Sequence, residues 1–299
     1  MKRCAFLLVV LLPLGLAAEA VDTAWVRRYD GPRHGQDWAT CLAVDSLGNV
    51  YVAGPSAADT GYVNLDYVVI KYRPDGAVAW ERRYDFDGGD DIPSGLGVDR
   101  QGNVYVTGSG GGRTATIKYD SIGRLVWLRT YGTQGYASDL VLDADENVLL
   151  CGRTLTTTWE LATLKVRGNG ETAWVRTYSG GEGDDGATAV AVDGADRVVA
   201  TGYGAGAGTH YDCTTVRYDP AGNELWVARY DGWNHGDDRA YDVAIDKASN
   251  VIICGPSDNG YTTPFDYLTI KYSPEGETLW TRRYNGTANG RDEARAVAV

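Results

Sequence analysis

The sequence predicts an all-β fold, a ring of repeated four-stranded antiparallel units. Three observations predict it. Trp25, Trp80, Trp127, Trp174, Trp226 and Trp280 recur at intervals of about 50 residues, the mark of one supersecondary unit used again and again. Each mark keeps its neighbours: a Gly four before (Gly76, Gly123, Gly170, Gly222, Gly276), a Lys or Arg nine before (Lys71, Lys118, Lys165, Arg217, Lys271) and a Tyr four after (Tyr29, Tyr84, Tyr131, Tyr178, Tyr230, Tyr284). Between the marks, short alternating segments are separated by Gly-, Asn- and Pro-containing turns, and no segment shows a helical period.

The strands follow in order. A first strand ends in Asp, as in Thr40-Cys-Leu-Ala-Val-Asp45, Ala189-Val-Ala-Val-Asp193 and Val243-Ala-Ile-Asp246. Its large and small residues alternate, which is strand periodicity. A turn such as Ser46-Leu-Gly-Asn49 or Arg100-Gln-Gly-Asn103 suits a tight hairpin. The second strand (Val50-Tyr-Val-Ala53, Val104-Tyr-Val-Thr107, Val251-Ile-Ile-Cys254) closes on Gly each time. A variable loop leads to a third strand, Tyr67-Val-Val-Ile-Lys-Tyr72 or Tyr267-Leu-Thr-Ile-Lys-Tyr272. A Pro/Asp/Gly turn and the Trp strand complete the unit.

Four-stranded meanders of this length, repeated five or six times, are the blades of a β-propeller. Blades converge at the axis, so the inner strand needs small residues; they diverge outside, where a Trp fills the gap. The blades are expected at about 37–84, 91–131, 135–178, 185–230 and 238–284, within a domain spanning 21–299. The strand at 23–29 and the segment 292–299 are expected to form a partial closing blade, Trp25 being its outer strand and Ala294-Arg-Ala-Val-Ala-Val299 its inner one. Two strands are missing from that blade, so the chain reads as a fragment of a longer one, with six or more blades in the intact ring.

Lys2 and Arg3, the apolar run Ala5 to Leu16, and Ala18-Glu19-Ala20 have the form of a signal peptide covering residues 1–20. Export is expected, to the extracellular space, the cell surface or a periplasm. No later apolar stretch has spanning length, so no transmembrane segment is expected. The net charge of −12 argues against nucleic acid as a partner and suits solubility or cation binding. Cys41, Cys151, Cys213 and Cys254 fall in four different repeats and form no framework. They read as small buried residues, with a disulfide left open.

The loops entering each unit carry matched acids: Asp37, Asp91, Asp185 and Asp238, each eight residues before the Asp that ends the first strand, with Asp292 by extrapolation. Repeats 1 and 5 also share His34 and His235, and the long loops holding Tyr62 and Tyr261; Trp233 stands beside them. One reading is a ligand face lined by these residues. There the four Asp would suit Ca²⁺, or acids with aromatic rings would suit a glycan. The other is that each Asp caps its own turn through backbone hydrogen bonds. Asp139 and Asp242 sit on inner strands where other repeats use Cys41, Gly95 and Ala189. They face either the central channel or a neighbouring blade's backbone.

The runs Ala43-Val-Asp-Ser-Leu-Gly-Asn-Val-Tyr-Val-Ala-Gly54 and Val98-Asp-Arg-Gln-Gly-Asn-Val-Tyr-Val-Thr-Gly108, with Asp66-Tyr, Ile70-Lys-Tyr72, Gly76 and Trp80-Glu-Arg-Arg-Tyr84 downstream, resemble the SBBP repeat of bacterial secreted β-propellers. Repeats 3 and 4 depart in the turn, with Asp145-Glu-Asn147 and Ala195-Asp-Arg197. The resemblance implies a propeller in an extracellular or surface setting and no set of catalytic residues. No nucleophile, zinc or phosphate-loop motif is present. The expected function is a binding or scaffold module for a glycan or protein at the cell surface. The alternative is an extracellular polysaccharide-acting enzyme using loop carboxylates. A third reading, a quinone-cofactor propeller, rests on the recurrence of Gly-x-x-x-Trp.

Overall fold

A computed structural model describes residues 23–58, 64–181, 183–206, 208–258, 265–287 and 290–299. Twenty strands form five four-stranded sheets, each joined in simple sequence order. Blade 1 holds β1 (Cys41–Val44), β2 (Val50–Ala57), β3 (Leu65–Tyr72) and β4 (Val78–Tyr84). Blade 2 holds β5 (Ile92–Val98), β6 (Val104–Gly110), β7 (Arg113–Tyr119) and β8 (Leu125–Tyr131). Blade 3 holds β9 (Gly135–Leu142), β10 (Val148–Leu155), β11 (Trp159–Val166) and β12 (Thr172–Tyr178). Blade 4 holds β13 (Asp185–Val192), β14 (Val198–Ala205), β15 (Tyr211–Tyr218) and β16 (Glu224–Tyr230). Blade 5 holds β17 (Asp242–Ile245), β18 (Val251–Ser257), β19 (Asp266–Tyr272) and β20 (Thr278–Tyr284). The all-β propeller expected from the repeat is therefore present. One 3₁₀ turn, Trp233–His235, is the helical element among the described residues. No helix there is long and apolar enough to cross a membrane.

The Asp that ends each first strand shapes the next turn. Asp45 accepts the backbone N–H groups of Leu47 and Asn49, both at 2.9 Å, while the Asn49 side chain bonds its other oxygen at 2.8 Å. Asp99, Asp143, Asp193 and Asp246 repeat the arrangement. This is wider than a two-residue hairpin. The fourth residue carries the positive φ, at Gly48 (77°) or, in the divergent repeats, Glu146 (62°) and Asp196 (57°). The latter two pay the side-chain strain that Gly avoids.

Blades pack face to face through apolar clusters. Tyr51, Tyr67, Val69 and Trp80 of blade 1 meet Val104, Val106, Ile117 and Tyr119 of blade 2. Three further clusters join blades 2–3, 3–4 and 4–5. Both rims carry hydrogen-bonded locks. On the outer rim, the indole N–H groups of Trp80, Trp127, Trp174 and Trp226 bond carbonyls in the β3–β4-type turn of the following blade, at 2.9–3.2 Å. On the inner rim, Thr40 bonds the Pro93 carbonyl at 2.6 Å, Ser94 the Ala137 carbonyl at 2.7 Å, and Thr188 the Ala240 carbonyl at 2.7 Å.

Both terminal segments obey these rules. Trp25 donates to the Pro74 carbonyl at 2.9 Å and Arg27 to the Gly76 carbonyl at 2.7 Å, so residues 23–29, which form no strand, pack against blade 1 with the contacts that the Trp strand of one blade makes to the next. At the other end, the Val297 N–H bonds Asp242 at 2.7 Å, and Ala294 is buried. Residues 294–299, which form no strand, pack against blade 5. Between Trp25 and blade 1 a groove of about 570 Å³ remains, lined by Val50, Val52, Val68, Ile70 and Tyr72 among others. Among the described residues the four cysteines are free; Cys151, Cys213 and Cys254 are buried and Cys41 is partly so.

Candidate functional site

The matched loop acids are turn caps. Asp91 accepts the Phe86 N–H at 2.6 Å and the Gly111 N–H at 3.0 Å. Asp37 accepts from Gly31, Asp185 from Gly180 and Asp238 from Gly232, at 2.9, 2.9 and 2.5 Å. Asp292 does the same with Gly286 at 2.7 Å. Asp91, Asp185 and Asp238 have no exposed surface. Of the two readings open from sequence, the capping geometry is the one these four side chains adopt. Burial pushes the carboxyls of Asp91 and Asp238 up to about 6, against the pull of the N–H and Ser257 bonds they receive.

His34 and His235 stand in equivalent places, as their matched sequences suggest. Each is exposed, has a positive φ, and bonds an Asp four residues earlier: Asp30 at 2.8 Å and Asp231 at 2.6 Å. Trp233 is 71% exposed, with the Arg283 guanidinium 5.4 Å from its ring. Tyr62 and Tyr261 lie outside the described residues. The structure does not gather Asp37, Asp91, Asp185 and Asp238 into one ligand pocket, because each faces its own turn.

Asp66, Asp85 and Asp91 do converge, each offering an oxygen within 4.8 Å of the others. Their oxygens are largely engaged. Arg83 bonds Asp66 at 2.8 Å, and the Gly88 N–H bonds Asp85 at 2.6 Å. Asp66 Oδ1 alone is buried without a donor. An acidic trio of this kind offers oxygen ligands to a hard cation, at the expense of those bonds.

Asp139 and Asp242 are inter-blade clasps. Asp139 accepts the N–H of Val190 on blade 4 at 3.0 Å, and Asp242 that of Val297 at 2.7 Å. They bridge the blades from one repeat position later than the hydroxyls of Thr40, Ser94 and Thr188, which serve the other junctions. Burial raises the Asp139 carboxyl to about 6, although two N–H bonds oppose the rise.

What the repeat logic missed lies on the inner rim of the loop face, in blades 3 to 5. The Arg153 guanidinium packs against two rings, 4.7 Å from Tyr136 and 4.3 Å from Trp159, which are tilted towards each other. Arg239 packs against both Tyr203 (5.0 Å) and Tyr211 (4.6 Å), which meet each other edge to face. Burial first, and then the neighbouring Tyr203 side chain, raise the Tyr136 hydroxyl, so the two groups lie side by side as one stripe. Gly186 makes room for it, since a Cβ there would come 2.9 Å from the Tyr203 hydroxyl. All six side chains of the stripe are partly exposed. The available signal was departure from the repeat. Arg153 and Tyr203 follow the closing Gly where repeats 1 and 5 carry Pro55 and Pro256, and Trp159 is a tryptophan off the 50-residue spacing.

Residues 85–113 match the SBBP β-propeller repeat, so the chain carries that repeat on a propeller fold. No curated protein matches the sequence. Among solved structures, the chain is similar to hydrazine synthase of Kuenenia stuttgartiensis, with 12% identity and a TM-score of 0.58, over 82% of this chain and 65% of that one. It is similar to the Dos1 propeller at 11% identity and TM-score 0.54, over 85% and 74% of the two chains. It is also similar to virginiamycin B lyase of Staphylococcus aureus at 13% identity and TM-score 0.51, over 83% and 70%. At such identities the likeness is one of fold.

Proposed function

We propose that this chain is an exported β-propeller binding module whose ligand meets the inner rim of the loop face, with a cell-surface glycan or protein as partner. One observation carries the reading. The repeated acids are consumed by turns, whereas the Tyr136–Arg153–Trp159 and Tyr203–Arg239–Tyr211 stacks are partly exposed and occur once. A structural device recurs in every blade; a recognition surface need not. Preassembled aromatic and polar groups on a rigid sheet are what specific binding asks of a scaffold. A hydrolytic or lyase reading has less support, because the raised carboxyls of Asp91, Asp139 and Asp238 each receive backbone bonds in a structural position. Export rests on the form of residues 1–20.

The test is a binding screen of the exported chain against neutral and acidic glycans and surface-protein extracts, followed by hydrogen-exchange footprinting of any hit. Protection is expected on β9, β10, β14 and the segment around Arg239. Protection confined to the opposite face, at the turns 45–49 and 99–103, contradicts the reading.

A further inference from the structure

We propose that Arg153 and Arg239 form a receptor for the carboxylates of an acidic polysaccharide, a polyuronate. The inference rests on the binding-module reading and names its ligand class. The Arg153 guanidinium has no carboxylate or carbonyl partner among the described residues, and its Nε is buried without an acceptor. Buried donors are nearly always met, and one left unmet costs about 1–3 kcal/mol. Arg217 and Arg283 also have one buried nitrogen without an acceptor, but each of those guanidiniums bonds an Asp, as do those of Arg83, Arg197 and Arg229, whereas Arg153 bonds none. Arg239 is intermediate, with a long 3.4 Å contact to Asp237.

Ring stacking fixes the plane of a guanidinium and leaves its N–H edge free. That edge fits a carboxylate with two parallel bonds. The second cation lies one blade further round, against Tyr203, which occupies in blade 4 the place of Arg153 in blade 3. Two fixed cations along one wall of rings call for a ligand that repeats its anion. The half-exposed rings beside them call for flat C–H faces between those anions, which sugar rings supply and a polypeptide backbone does not. The chain's net charge of −12 opposes any polyanion at long range. At physiological salt that repulsion is screened beyond about 8 Å, and the local pair decides.

The experiment is isothermal titration of the mature chain at physiological salt with three probes: polygalacturonate, the same polymer fully methyl-esterified, and poly-glutamate. Variants are Arg153→Gln, Arg239→Gln and, as a control in an exposed turn, Arg124→Gln, each checked for folding by its melting curve. Polygalacturonate is expected to bind, roughly tenfold more weakly after either stripe substitution and unchanged in the control. Equal binding of the esterified polymer removes the carboxylate from recognition and overturns the proposal, while the binding-module reading survives. Tighter binding of poly-glutamate overturns the glycan assignment in favour of an acidic peptide. Absence of polygalacturonate binding by the folded chain also overturns it, and the binding-module reading then stands or falls on its own screen.

Discussion

The indole of Trp80 lies on Gly123, in the turn of the following blade. A Cβ on Gly123 would come within 2.8 Å of the ring, and its φ of 80° disfavours any other residue. Trp25 seats on Gly76, Trp127 on Gly170, Trp174 on Gly222 and Trp226 on Gly276 in the same way. So the Gly and Trp that travel four residues apart in sequence are not each other's partners. Each Gly receives the Trp of the blade before, and the repeat spacing is the spacing of an inter-blade joint. The lock predicts that Gly123→Ala loses well over about 1 kcal/mol in urea unfolding, from the left-handed backbone and the displaced ring together. Unchanged stability would mean that the joint accommodates the added methyl.

Acid is expected to stabilise the fold before it destroys it. Burial first, and weaker repulsions after it, hold the carboxyls of Asp91, Asp139 and Asp238 at about 6, above the unfolded value of about 3.9. Between those values the native chain binds more protons than the unfolded one, so stability rises as pH falls from 7 towards 4. Asp143 and Asp193 run the other way. Burial pushes them up, but Lys165 and Asn147 on the first, and the Arg197 backbone and side chain on the second, outweigh it. Their contribution is present above the unfolded value and disappears below it. Melting temperature is expected to peak near pH 4–5, and Asp139→Asn to flatten the rise on the alkaline side. A steady fall from pH 7 downward would contradict this.

Calcium is expected to leave the melting temperature within about 1 °C of that in chelator, because the capping oxygens of Asp37, Asp91, Asp185 and Asp238 already serve backbone donors. A shift of several degrees, abolished by Asp85→Asn, would instead give the Asp66–Asp85–Asp91 cluster a cation.

Much of the fold was legible because packing repeats. Whatever recurs in every blade is visible as a period: the Asp45-type turn, the closing Gly, the Trp lock. The matched Asp37, Asp91, Asp185 and Asp238 were visible for that same reason, and recurrence made them look like a set when each serves its own turn. The aromatic–arginine stripe was illegible because it is built from exceptions in three different blades. Its members meet through the pairing of β10 with β9 and β11 and of β14 with β15, and through the packing of Arg239, before β17, against blade 4. A period cannot announce Arg153; the absence of one at Trp159 could have.

Trp80, Trp127, Trp174 and Trp226 hold blades together, whereas Trp159 lies on the stripe. Urea unfolding of Trp127→Ala beside Trp159→Ala tests that division most directly. Trp127 is 6% exposed and locked to the Gly168 carbonyl at 3.0 Å, so its loss is expected to cost about 3–5 kcal/mol. Trp159 is partly exposed and stacks on one arginine, so its loss is expected to cost about 1 kcal/mol. Equal losses would contradict the account, since the stripe would then be as structural as the blade joints.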